Sequence, residues 1–213
     1  MFIKLKNPTL VTREAVLLNI IKERFKEKKV IVFYKTKVQC HRMAIIFDIT
    51  GLNASELHGN LTQTQRIKSL MDFSQNKTNF LLATDLAARG LDIAKVEVVI
   101  NFEFPVELLR YIHRVGRTAR AGRGGVSLTI CDELESKKLK KLMRKYGEKP
   151  KLVKLEKTKV ILEMKTIKRM KSNISRILEK EIEEKEAIWA ERDLQKAENL
   201  LKYKEEIYNR PRR

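Results

Sequence analysis

Two periodicities alternate along the first 131 residues, and that alternation restricts the chain more than any other feature. Short runs rich in β-branched and aromatic residues stand at 30–34, 79–83, 96–101 and 126–131, with a weaker one at 54–57. Between them lie segments of helical period near 13–27, 38–49, 63–74 and 106–119. Strand and helix repeated at this spacing predict an α/β domain with a mainly parallel sheet flanked by helices. The apolar run Val30-Ile31-Val32-Phe33 suits a strand covered on both faces. The least periodic stretches, 84–92 and 114–125, follow strands or helices, where open α/β sheets bind ligands.

Beyond residue 131 the pattern changes. Glycine is absent after Gly147, Pro150 interrupts, and Lys, Glu and Arg dominate. A helical segment at 132–146 is expected to pack back on the domain. A linker at 147–159 and a long, basic helical tail at 160–213 follow. The tail's apolar positions Ile167, Met170, Ile174, Ile177, Leu178, Ile182 and Trp189 keep a three-four spacing. Glu181 with Lys185, and Glu198 with Lys202, stand one turn apart and support the helix. Such an apolar stripe needs its own domain or a partner to cover it. The domain is expected to span 1–146.

The formal charge of +19 points to a polyanionic partner. The excess is divided almost evenly, about +10 over residues 1–131 and about +9 over 132–213, so it is not a basic tail on a neutral domain. The plain alternative is a lysine-rich surface that serves solubility. Cys40 and Cys131 are the only cysteines and lack zinc-type spacing, which suggests a reducing compartment. The first residues lack a secretory signal, and no stretch approaches the roughly 20 apolar residues that cross a bilayer. A soluble intracellular protein with no membrane partner is expected.

The densest chemical signal is Tyr111-Ile112-His113-Arg114-Val115-Gly116-Arg117-Thr118-Ala119-Arg120-Ala121-Gly122-Arg123. Arg114, Arg117 and Arg120 recur every third residue, which on a helix fans them over one broad face. Guanidinium groups that close repel one another unless an anion or carboxylate sits among them. Their planar fork suits phosphate. Gly116 and Gly122 let the backbone approach what is bound. A solvated basic helix is the plain alternative.

This run resembles the last signature motif of the superfamily-2 helicases of the DEAD-box type, and their other C-terminal motifs occur in order. Phe33-Tyr34-Lys35-Thr36-Lys37 resembles the strand-end motif whose Thr meets RNA phosphate. His58-Gly59-Asn60-Leu61-Thr62-Gln63-Thr64-Gln65-Arg66 resembles the His-Gly element followed by Gln-x-x-Arg. Ala83-Thr84-Asp85-Leu86-Ala87-Ala88-Arg89-Gly90-Leu91-Asp92 resembles the Thr-Asp…Ala-Arg-Gly-Leu-Asp motif, and Val99 to Pro105 follow as the next strand and turn. The resemblance implies a RecA-like parallel sheet, the half of a helicase that closes on ATP and RNA. Arg117 and Arg120 would reach the γ-phosphate as catalytic fingers, while Gly90 and Asp92 would meet the nucleotide, Asp92 at the ribose. Thr36, Gly59, Arg66 and Thr84 would hold the RNA sugar–phosphate backbone, and Asp85, Arg89 and His113 would couple the two sites. Ala119 departs from the Gly that most members carry. His41 reads as a structural histidine, His58 as either structural or part of the RNA contact, and Asp85 equally as a helix cap.

No G-x-x-x-x-G-K-[ST] loop and no Asp-Glu-Ala-Asp strand end occur in these residues. ATP with Mg²⁺ would therefore be held mainly by an N-terminal helicase half, and this chain alone is expected to be inactive. The segment from Ile182 and the ending Asn209-Arg210-Pro211-Arg212-Arg213 resemble the post-core extension of the nucleolar subgroup that serves large ribosomal subunit assembly. That implies pre-ribosomal RNA, pre-ribosomal proteins met through the tail, and a nuclear, nucleolar place. The competing readings are a non-catalytic RNA- or partner-binding module, a scaffold acting through its tail, and a DNA translocase of the same superfamily.

Overall fold

Five consecutive apolar side chains can be accommodated only where both faces of a strand are covered, and β2 (Val30–Tyr34), buried throughout, lies inside the sheet. The computed structural model describes residues 1–85, 96–105, 107–118 and 124–203. β2 pairs in parallel with β4 (Phe80–Thr84) on one side and β5 (Val98–Asn101) on the other. Beyond β4 lies β3 (Ala54–Leu57), and beyond β5 lies β6 (Val126–Cys131). β1 (Phe2–Lys4) completes the order β1-β6-β5-β2-β4-β3, with every pairing parallel.

Parallel neighbours require crossovers, and helices supply them. The described helices after β1 are α1 (Leu10–Ile20), α2 (Lys37–Ile49), α3 (Gln63–Ser74), α4 (Leu108–Val115), α5 (Glu133–Lys145) and α6 (Lys157–Lys202). Thr36 caps α2 by accepting from Gln39 N at 3.2 Å. Thr62 and Gln65 form a reciprocal capping box at α3, as do Asp132 and Glu135 at α5. One face of the sheet buries Ile31, Phe33, Leu57, Leu81, Ala83 and Val99 around Phe73 of α3. A second cluster joins Phe2, Tyr111, Cys131, Leu139 and Leu142 under α4 and α5.

Three expectations need correction. Residues 13–27 are not one α-helix: α1 starts at Leu10 behind a Thr9 cap and passes into a π-helical turn, Ile21–Phe25, that keeps Ile21 and Phe25 buried. The strand β1 was not anticipated, because three residues are too few to show a period. It is held from outside itself by β6 and by a bridge from Phe2 to Leu152. The helix expected over 106–119 is shorter and ends at Val115, with Gly116 as its C-cap.

The chain divides into two compact units, Met1–Arg169 and Met170–Arg213. The first includes the opening turns of α6, where Lys159 and Glu163 pair with Glu23 and Lys22 of the π turn. The described part of the second is helical to Lys202 and carries exposed Ile182, Ile188, Trp189, Leu194, Leu200 and Leu201. Lys185 approaches Glu181 at 3.7 Å, as the one-turn spacing predicts. No helix among the described residues is long and apolar enough to cross a membrane.

Candidate nucleotide and nucleic-acid site

Because β3, β4 and β2 are parallel and in register, their carboxyl ends meet on one edge, with Leu57 beside Ala83 and Thr84 beside Tyr34. Thr84 ends β4, Thr36 follows β2 by two residues, and Gly59 follows β3 by two. Three expected RNA contacts therefore stand on three adjacent strand ends, roughly one strand spacing (~4.8 Å) apart along the sheet. The Thr36 hydroxyl is engaged in capping α2 and contacts Gln39 Oε1 at 3.1 Å, so the site offers a helix N-terminus as well as a hydroxyl. Gly59 has no positive φ, and a Cβ built there would meet nothing within 4 Å. Neither backbone conformation nor internal packing demands a glycine at this position. Arg66, half-buried, sits in the first turns of α3 behind the capping box.

Asp85, next after Thr84, is engaged by a residue outside the expected site set. Arg114 donates from Nε to Oδ1 at 2.6 Å and from Nη2 to Oδ2 at 2.8 Å, a two-pronged fork. Its Nη1 donates to Asn101 Oδ1 at 3.1 Å and to the Glu103 carbonyl at 3.3 Å. The guanidinium also lies 5.2 Å from the Phe33 ring centre, and Asn101 donates onward to Thr129. With only 3% of its side chain exposed, Arg114 ties α4 to the ends of β4 and β5. A carboxylate does sit among the arginines, as charge repulsion required. It sits on Arg114.

Arg114 and Arg117 do not share a helical face, because α4 ends at Val115, which corrects the expectation for that pair. The helix stops before Arg117: Gly116 is its C-cap, with its N–H making the last helical bond to the Ile112 carbonyl. A Cβ at Gly116 would lie 3.3 Å from that same carbonyl oxygen, so the helix end itself favours a glycine here. Arg117 is half-buried and donates from Nε to the His113 carbonyl at 3.4 Å. Thr118 beside it donates to the carbonyls of Val96 and Glu97, the residues that enter β5. The Arg117 turn therefore lies toward the amino end of β5, apart from the edge that carries Thr36, Gly59 and Thr84, and His113 is exposed on α4. Arg89, Gly90, Asp92, Arg120 and Gly122 lie outside the described residues.

Near Gly59, Glu56 Oε2 accepts from both His41 Nδ1 at 2.9 Å and His58 Nε2 at 3.2 Å. The sequence reading missed Glu56, although its i, i+2 relation to His58 across one strand end was the available signal. Burial opposes ionisation of Glu56. The hydrogen bonds and charge of the two histidines outweigh it and hold the carboxyl down at about 2. A depressed carboxyl contributes stability that is fully present above its ordinary pKa of 4.5 and is lost as pH falls toward 2. Denaturant unfolding followed over that window should show Glu56→Gln with a flatter acid limb than the native chain.

Removing one partner of a buried ion pair leaves the other charge uncompensated. Arg114→Ala should lower the unfolding free energy by about 3–5 kcal/mol, measured by urea denaturation. An unchanged midpoint would show that the fork is not what holds α4 to the sheet.

Residues 12–122 match the family described as the helicase conserved C-terminal domain. Over 211 residues the chain is 42% identical to DEAD-box ATP-dependent RNA helicase 28 of Arabidopsis thaliana, a match that covers 99% of this chain and 27% of the relative. Over 202 residues it is 42% identical to ATP-dependent RNA helicase DRS1 of Mycosarcoma maydis, covering 94% and 22%. Among solved structures it is similar to the E. coli DEAD-box protein SrmB bound to regulator of ribonuclease activity A. That match has a TM-score of 0.63 and 30% identity, covering 74% of this chain and 91% of that one. The chain spans about a quarter of the length of the curated relatives it matches. With sheet, motif order and these similarities in agreement, the chain belongs to the DEAD-box RNA helicases, as their C-terminal, RecA-like domain.

Proposed function

We propose that this chain is the closing half of an ATP-driven RNA-unwinding motor. The observation that carries the reading is the row of Thr36, Gly59 and Thr84 on adjacent strand ends, joined through Asp85 and Arg114 to the helix that leads to Arg117. Hydroxyls, a helix N-terminus, Arg66 and a glycine that packing does not require are groups for a sugar–phosphate backbone. Contacts of this kind position a strand without reading its sequence. Arg117, with Arg120, supplies cations to the γ-phosphate of ATP, and Gly90 and Asp92 meet the nucleotide. ATP and its Mg²⁺ are held mainly by an N-terminal helicase half. Asp85, Arg89 and His113 transmit closure between the two patches, α4 being the element that reaches both. The RecA-like domain occupies 1–146, a linker 147–159 and a helical tail 160–213.

We further place this motor in assembly of the large ribosomal subunit, in the nucleolus, with pre-ribosomal RNA as substrate. The tail's resemblance to that subgroup's extension supports this. The charge pattern from α5 through the linker into the tail adds a division of labour. Residues 137–171 hold 15 Lys and Arg against 3 acidic residues, whereas 170–203 hold 7 against 8. The first stretch suits RNA phosphate. The second, near-neutral and lined by Ile188, Trp189 and Leu201, suits a protein surface.

Isolated, the chain should show no RNA-stimulated ATPase; mixed with a separately expressed N-terminal half, it should. In that mixture Arg117→Ala or Arg120→Ala should reduce turnover by roughly 10³-fold or more with RNA affinity retained, while Arg66→Ala should weaken RNA binding. Turnover by the isolated chain, or equal loss of binding and turnover in the arginine variants, would refute the assignment. Removing residues 170–213 from the complete helicase should release it from pre-ribosomal particles while sparing ATPase activity; particle association that survives would remove the tail from that role.

A further inference from the structure

Beside the RNA-facing edge, three metal-ligating side chains converge between α2 and the end of β3. His41 Nδ1 and His58 Nε2 both point at one oxygen, Oε2 of Glu56, from 2.9 and 3.2 Å. The ligand atoms of the three residues all lie within 4.8 Å of one another. Each is borne by regular structure or stands next to it: His41 on α2, Glu56 in β3, and His58 directly after that strand. The His58 side chain is 5% exposed, whereas those of His41 and Glu56 are 24% and 23% exposed. The cluster is thus walled on one side and open to water on the other. We propose that this cluster is a zinc site, with His41 Nδ1, Glu56 Oε2 and His58 Nε2 as protein ligands and water in the fourth position.

Two imidazoles and a carboxylate form a donor set suited to zinc, and sites that keep one position for water use three protein ligands. Tetrahedral zinc with bonds of about 2.0–2.1 Å sets its ligand atoms roughly 3.3 Å apart. Two of the three separations already stand near that value, so loading requires only a small approach of the histidine rings. The two thiols, Cys40 and Cys131, are buried, and neither is among the three converging ligands.

Loading has a structural consequence that balances the protons. His58 Nδ1 accepts from the backbone N–H of Asn60 at 3.3 Å, so the ring's proton sits on Nε2 and faces Glu56. When zinc takes Nε2, a neutral ring must carry its proton on Nδ1, which can no longer accept from Asn60. The Gly59–Asn60 peptide must then turn to another acceptor. Zinc would report itself in the Asn60 amide as well as in the ligands. Without metal, the same groups form a hydrogen-bonded hub that holds this turn, and the experiment separates the two.

The full chain is titrated with Zn²⁺ by calorimetry and with Co²⁺ by visible absorption at about pH 7.5, where neutral histidine dominates. One equivalent should bind with a dissociation constant on the order of a micromolar or below. Cobalt should give the visible bands of a tetrahedral nitrogen–oxygen site without thiolate charge-transfer absorption. The backbone amide resonance of Asn60 should shift as zinc is added. His41→Ala, at the exposed side of the cluster, should weaken binding by more than about tenfold while circular dichroism shows the fold retained. If the native chain yields no saturable zinc heat and no tetrahedral cobalt spectrum, the site is a hydrogen-bonded hub only and the proposal fails. It fails equally if His41→Ala binds as the native chain does.

Discussion

The fork from Arg114 to Asp85 is the interaction on which the functional edge depends. A guanidinium with almost no solvent exposure loses several kcal/mol of hydration, which only well-aligned acceptors offset. Asp85 takes two of its donors, and Asn101 and the Glu103 carbonyl take a third. The consequence is mechanical. The last residue of β4, the end of β5 and the helix α4 form one connected body, although Asp85 and Arg114 are 29 residues apart in the chain. Thr84 gains a fixed position from this, and so does the turn that carries Arg117.

A parallel sheet adds the second constraint. Strands that all run one way present all their carboxyl ends on one edge, so short loops from β2, β3 and β4 bring Thr36, Gly59 and Thr84 together without long-range reach. The caps at Thr36 and Thr62 leave the N-termini of α2 and α3 near the same region. Helix N-termini favour anions, so the positive character of this edge comes from backbone dipoles as well as from cations such as Arg66.

The strands and helices expected from periodicity agree with the structure where a segment is long and has one buried face. α3 at 63–74 and β6 at 126–131 fall where the pattern places them, and α2 differs by one residue. β1 and the π turn escaped because neither has a period of its own. Both are held by contacts with distant residues, β1 by β6 and the π turn by Lys159 and Glu163 of α6. Gly116, read as room for a ligand, is also favoured by crowding at the helix end. Gly59 is the reverse case, since nothing internal accounts for it.

The sequence by itself determined the order of the chemistry: which residue types follow which strand, and hence the family and the sheet edge at which Thr36, Gly59 and Thr84 gather. Local periodicity and motif spacing carry that information, because each depends on neighbours only a few residues away. Only the tertiary structure decided which charges face inward. Arg114 and Arg117 are equivalent in spacing, yet Arg114 is buried against a carboxylate while Arg117 lies in a half-buried turn past the helix, and Glu56 gathers two histidines from separate elements. Burial and pairing are properties of distant segments brought together, and a charge's role follows from what desolvates and neutralises it.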